Sequence, residues 1–126
     1  MKEKNKRKEF LIPPKSMKDS DKLTVAIEMD EVLLYVFAPD EHEAYLSQPI
    51  MDYDFCVYYQ DYDIYLNIYK RPYLKEFLEY LKQNTEPVLY TKGVKSYVDL
   101  VLKLVDPENT FKHVITQEQG CTRVVD

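Results

Sequence analysis

Lys22-Leu23-Thr24-Val25-Ala26-Ile27-Glu28-Met29-Asp30-Glu31-Val32-Leu33-Leu34-Tyr35 is the stretch on which the reading of this chain turns. It opens on a compact apolar run, Leu23 to Ile27, with the length and β-branched content of a buried strand. Two carboxylates separated by one residue, Glu28 and Asp30, follow at once. Open α/β sheets place their ligands beyond the C-terminal edges of their strands, so this pair marks a candidate site.

Outward from that stretch, size and composition set bounds. The chain has 126 residues, enough for one domain. A hydrophobic content of 45% is ample for a core. The net charge of -5 weighs against nucleic acid as a partner, because phosphate contacts need a basic face. Cys56 and Cys121 lie far apart without metal-type spacing and read as thiols of a reducing compartment. No apolar run reaches membrane-spanning length. With only Gly93 and Gly120 present, there is no glycine-rich phosphate loop.

Residues 1–21 read as a basic arm and lead-in, with the apolar and rigid Phe10-Leu11-Ile12-Pro13-Pro14 inside it. After the carboxylates, Leu33 to Phe37 stays apolar and the chain breaks at Pro39. From Pro39 to Tyr69 there is no Lys or Arg, but there are seven acids. Tyr53–Tyr59 and Tyr62–Tyr69 are strand-like, with Gln60-Asp61 suited to a short turn, so a β-hairpin insertion is expected within 39–69. Tyrosine is enriched at interfaces, which makes Tyr53, Tyr58, Tyr62 and Tyr65 the candidate partner-binding residues.

Lys70 to Lys82 is the clearest helix, with Pro72 in its first turn and Leu74, Phe77, Leu78 and Leu81 at helical spacing. Pro87 to Thr91 reads as a second parallel strand, a helix runs from about Lys95 to Val105, and His113 to Thr116 gives a third strand. By these residues alone, Glu28 and Asp30 could simply cap a strand end, and Thr91 could be a turn hydroxyl. His42 reads as solvated and His113 as structural, and no metal-ligand spacing is present.

The order of these segments resembles the haloacid-dehalogenase superfamily, and within it the phosphatase domain of RNA polymerase C-terminal-domain phosphatases. Glu28-Met29-Asp30-Glu31-Val32, Lys70-Arg71-Pro72, Thr91-Lys92-Gly93 and Asp106-Pro107 carry the resemblance. It implies a Rossmann-like parallel α/β sheet with an inserted antiparallel hairpin. It also implies a first Asp as nucleophile, a second as general acid/base, and a Ser or Thr holding the phosphoryl group. On this chain those positions are Glu28, Asp30 and Thr91, with Lys92 beside the phosphate position. Glutamate replaces the nucleophilic aspartate, and the family's third-motif Lys and fourth-motif acids have no counterpart before Asp126. One extra methylene displaces a carboxylate by roughly 1.3 Å, and misplacement of ~1 Å can cost on the order of 100-fold.

The residues 24–34 and Cys121-Thr122-Arg123 are also similar to a branch of the family, the phosphatase-like receptor of the mitochondrial presequence translocase. The resulting expectation is a degenerate domain over residues 22–126, truncated at its C-terminus and not an enzyme. It would act as a structural or protein-binding subunit among other protein subunits, associated with the mitochondrial inner membrane, without metal or cofactor. Two alternatives stand beside it. One is a magnesium-dependent phosphoserine/threonine phosphatase completed by residues outside the chain. The other is a phosphopeptide-binding module.

Overall fold

A computed structural model of the chain describes residues 12–38 and 53–120. The expected basic arm, His42 and the closing stretch from Cys121 lie outside those residues, apart from the end of the lead-in. Two three-stranded sheets make up the described fold. The first is parallel, with β1 (Leu23–Ile27), β5 (Thr85–Tyr90) and β6 (His113–Ile115) in the order β1-β5-β6. The second is antiparallel, with β2 (Leu34–Phe37), β3 (Phe55–Tyr59) and β4 (Ile64–Lys70) in the order β2-β4-β3. Two helices, α1 (Leu74–Asn84) and α2 (Lys95–Val105), make the crossovers between β4 and β5 and between β5 and β6.

β5 is the middle strand, and its successive residues serve two cores. Leu89 joins Ile27, Met29, Leu33, Leu34 and Ile68 with Leu74, Leu78 and Leu81 of α1 and Val98, Val101 and Val105 of α2. Val88 faces the other way and packs with Ile115 and Ile12. This is what alternation does in a strand covered on both sides. Pro87 is tolerated because β6 pairs only from Val88 onward, so at Pro87 the strand has β1 as its one neighbour. The buried Glu86 carboxylate accepts a 2.6 Å hydrogen bond from the Thr24 hydroxyl.

Several expectations are corrected. β1 is not buried: among the described residues it pairs only with β5, and Leu23 is 77% exposed. The helix expected from Lys70 begins at Leu74, because Lys70 is claimed by β4, where it pairs with Leu34. Tyr73 then turns the chain in the left-handed region, at φ 62. The expected hairpin is the three-stranded second sheet, because the apolar Leu34–Phe37 run pairs with β4 on its free side.

Candidate functional site

Beyond Ile27 the chain leaves the sheet in a tight loop. Val32 and Leu33 both donate backbone hydrogen bonds to the Met29 carbonyl, and Glu31 donates to Leu34 at 2.7 Å. Glu31 takes a positive φ of 66, while Met29 and Leu33 beneath it are almost fully buried. The apolar pair anchors the loop, and the polar residues between are left at the sheet's end. Ile27 pairs with Leu89, so Glu28 and Asp30 on one strand and Thr91 on its neighbour emerge from adjacent C-terminal ends. Glu28 and Asp30 thus follow the end of β1, and Thr91 follows the end of β5 beside it.

Their local bonds differ. Glu28 Oε1 accepts the Met29 N–H at 2.8 Å. Asp30 Oδ1 accepts the Tyr97 hydroxyl at 2.7 Å. Burial raises the Asp30 pKa above the ordinary carboxylate range, against the lowering effect of the Tyr97 bond, and the nearby Glu28 and Glu31 push it the same way as burial. The same burial, together with the bond to Asp30, pushes the Tyr97 phenol far above its usual value, so it remains a donor. Thr91 is buried, its Oγ1 accepts the Gly93 N–H at 3.1 Å, and its hydroxyl proton is left to donate. Gly93 is closely packed: a Cβ there would lie 3.0 Å from Val98 Cγ2 and 3.2 Å from Tyr97 Cδ2, so those side chains would have to give by a few tenths of an ångström. Lys92 stands exposed in the same loop.

An aromatic cleft of about 380 Å³ opens beside Asp30, lined by Glu31, Tyr35, Tyr59, Tyr62, Val94 and Tyr97 among others. The second sheet is held over α2 to form it. The Tyr59 hydroxyl lies 2.8 Å from Ser96 Oγ, and Ser96 donates to Asp61 at 2.7 Å. At the start of α2, Lys95 N–H is capped by the Glu118 carboxylate at 3.0 Å and 3.1 Å. Sequence reading missed Tyr97 as a partner of Asp30, and it missed Glu118 as a cap. The first was visible only as an inward-facing helical residue, and the second follows a strand whose position the sequence does not relate to α2.

Of the candidate partner-binding tyrosines, Tyr58 and Tyr65 pair across β3 and β4. Tyr62 instead lines the cleft, and Tyr53 is exposed just before β3. No group of three or more His, Cys, Asp or Glu among the described residues is placed to hold a metal ion. Magnesium asks for near-octahedral oxygen ligands, and Glu28 and Asp30 offer a pair with one oxygen of each already bonded. The described residues do not fit that ion by themselves. No helix among them is long and apolar enough to cross a membrane.

Residues 23–125 match the family described as NLI interacting factor-like phosphatase. Human carboxy-terminal domain RNA polymerase II polypeptide A small phosphatase 1 is 30% identical over 112 residues, covering 87% of this chain and 40% of that protein. CTD small phosphatase-like protein 1 of Caenorhabditis elegans is 29% identical over 110 residues, covering 86% of this chain and 21% of that protein. The chain thus spans less than half the length of these curated relatives. The fold is shared with Fcp1, an essential RNA polymerase II CTD phosphatase, at a TM-score of 0.63 and 22% identity, over 80% of this chain and 31% of that one. The expectation of a domain that is not an enzyme is overturned, because the matched family and these relatives are named as phosphatases. The similarity to the mitochondrial translocase branch finds no support in these relatives.

Proposed function

The chain belongs to the NLI interacting factor-like phosphatases, and on that premise we propose that it takes a phosphorylated serine or threonine segment of another protein and releases its phosphate. The reacting group would lie across the C-terminal ends of β1 and β5, and the flanking peptide would lie in the aromatic cleft. The placement of Asp30 carries this reading. It is half-buried at the mouth of the cleft, beside Glu28, with a raised pKa and one oxygen bonded to Tyr97. A carboxyl group that holds its proton above the ordinary range suits protonation of a leaving alkoxide.

Thr91 supplies a hydroxyl donor, and Lys92 a mobile positive charge, on the side where the transferred group would sit. Glu28 occupies the position from which the family's aspartate attacks. Its longer side chain fits in-line attack less well, so turnover is slow, and Glu28→Asp should raise it by on the order of 100-fold.

The test is phosphate release from a phosphoserine peptide, with and without magnesium. Release above buffer that disappears in Asp30→Asn is expected. Release that is the same in both proteins, or absent from the wild-type chain and from Glu28→Asp alike, would refute the proposal.

A further inference from the structure

The outer face of the second sheet is aromatic and open. Its cross-strand pairs are Tyr35 with Tyr69, Phe37 with Asn67, Tyr58 with Tyr65, and Cys56 with Asn67. The alternate residues of the same strands, among them Tyr59, Leu66 and Ile68, are buried. The pattern follows from a sheet with one face on the core. What is unusual is the composition of the solvent side, where Tyr65 is 61% exposed and Tyr35 52% exposed. The rings stand in tilted pairs, with centroids 6.1 Å apart for Tyr35 and Tyr69 and 5.2 Å for Tyr58 and Tyr65.

We infer that this face is a docking surface for a basic, extended segment of a partner protein. Charge supports that choice of occupant. Residues 53–69 contain Asp54, Asp61 and Asp63 and neither Lys nor Arg. Asp63 lies at the edge of the face, accepting a hydrogen bond from the Tyr58 hydroxyl. Tyrosine faces attract guanidinium and ammonium groups, and Asn67 between the pairs offers both a donor and an acceptor. An acidic peptide would meet the Asp63 carboxylate at the edge of the face and be repelled there.

Tyr35 belongs to this face and also lines the cleft at Asp30 and Glu31. The rest of the cleft's lining from this sheet, Val36, Tyr59, Ile64 and Leu66, lies on the opposite face, so the docking surface meets the candidate site only at the Tyr35 edge and does not rest on the proposed function.

Cys56 is exposed near the middle of the face and serves as a built-in reporter. The probe is an unphosphorylated, fluorescein-labelled peptide of repeated arginine, serine and proline, titrated into the full chain. Saturable binding is expected, weakened by added salt, with slower alkylation of Cys56 in the bound state. Tyr58→Ser/Tyr65→Ser should weaken it roughly tenfold, as loss of two exposed cation–π contacts would. Asp63→Asn keeps the turn, since Asn tolerates the positive φ there, and should weaken binding by about threefold.

Because the probe carries no phosphate, binding should survive Asp30→Asn and Thr91→Val, which separates this inference from the proposed function. Equal binding of a peptide with glutamate in place of arginine would overturn it. So would unchanged Cys56 alkylation. A dimer that dissociates in the Tyr58/Tyr65 double variant would also overturn it, by assigning the face to a second copy. Tighter peptide binding after deletion of residues 1–9 would overturn it in favour of the chain's own basic arm.

Discussion

The Arg71 guanidinium donates a hydrogen bond to the Val32 carbonyl at 3.0 Å, holding the loop that carries Glu28 and Asp30 from the end of the neighbouring strand β4. The Arg71 backbone N–H adds a bond to the Leu33 carbonyl, also at 3.0 Å. The guanidinium further lies 5.3 Å from the Phe77 ring centroid on α1. The Lys70-Arg71-Pro72 step is thus the join between the hairpin sheet, the first crossover helix and the site loop.

Arg71→Ala removes the side-chain bond and the ring contact together. It should cost about 1–2 kcal/mol of stability, read as a lower urea midpoint at unchanged m. Amide exchange at Leu33 and Leu34 should quicken more than at Leu89. Uniform exchange changes across the fold would show that Arg71 does not hold the loop in particular.

Asp30 sets a pH dependence. Its folded pKa lies above the unfolded value, and burial does the same to Asp106 near the end of α2. Below the ordinary carboxylate range both states are protonated and neither group costs anything. As pH rises through that value, the unfolded chain releases its protons first, so stability falls until the raised pKa is passed. Asp30→Asn should therefore raise the melting temperature at pH 7 relative to wild type, with the gain vanishing near pH 3. A variant less stable than wild type at pH 7 would contradict this.

Asp19 works in the opposite sense. It is nearly buried, lies 2.9 Å from Lys112 and 3.3 Å from Lys22, and has its pKa lowered chiefly by the Lys112 bond. Its contribution is present above the ordinary carboxylate value and is lost as pH falls through the lowered one. Asp19→Asn should release the lead-in from β6, making the chain before Leu23 more sensitive to proteolysis at pH 7. Unaltered cleavage would show that the Ile12 packing is enough to hold it.

The packing under the site can be tested at Leu89, which is fully buried in the larger core. Leu89→Ala should cost about 2–5 kcal/mol, the range for truncating a buried leucine. A loss below about 1 kcal/mol would show that β5 is not the shared wall of that core.

Much of this was legible because local pattern and tertiary demand agree. Lys95 to Val105 is helical as its spacing predicts, and the strand before Thr91 pairs in parallel with the strand before the carboxylates. What failed was long-range. That Leu34–Phe37 would pair with β4 depends on partners thirty or more residues away, and Lys70 could not be taken from the helix without knowing it. The Tyr97–Asp30 bond spans 67 positions and leaves no local trace. The substitution at Glu28 was read from its chemistry as loss of function. Together with the missing third- and fourth-motif residues it led to the reading of a domain that is not an enzyme, which the family match over residues 23–125 overturns.

The central claim is that a phosphorylated segment is received at the ends of β1 and β5. Its most direct test is calorimetric titration of a phosphoserine peptide and its unphosphorylated twin into Asp30→Asn, which should bind without turnover. The account predicts saturable binding that is tighter for the phosphorylated peptide, a preference that Thr91→Val removes. Equal affinity for the two peptides, or a preference that Thr91→Val leaves intact, would contradict it.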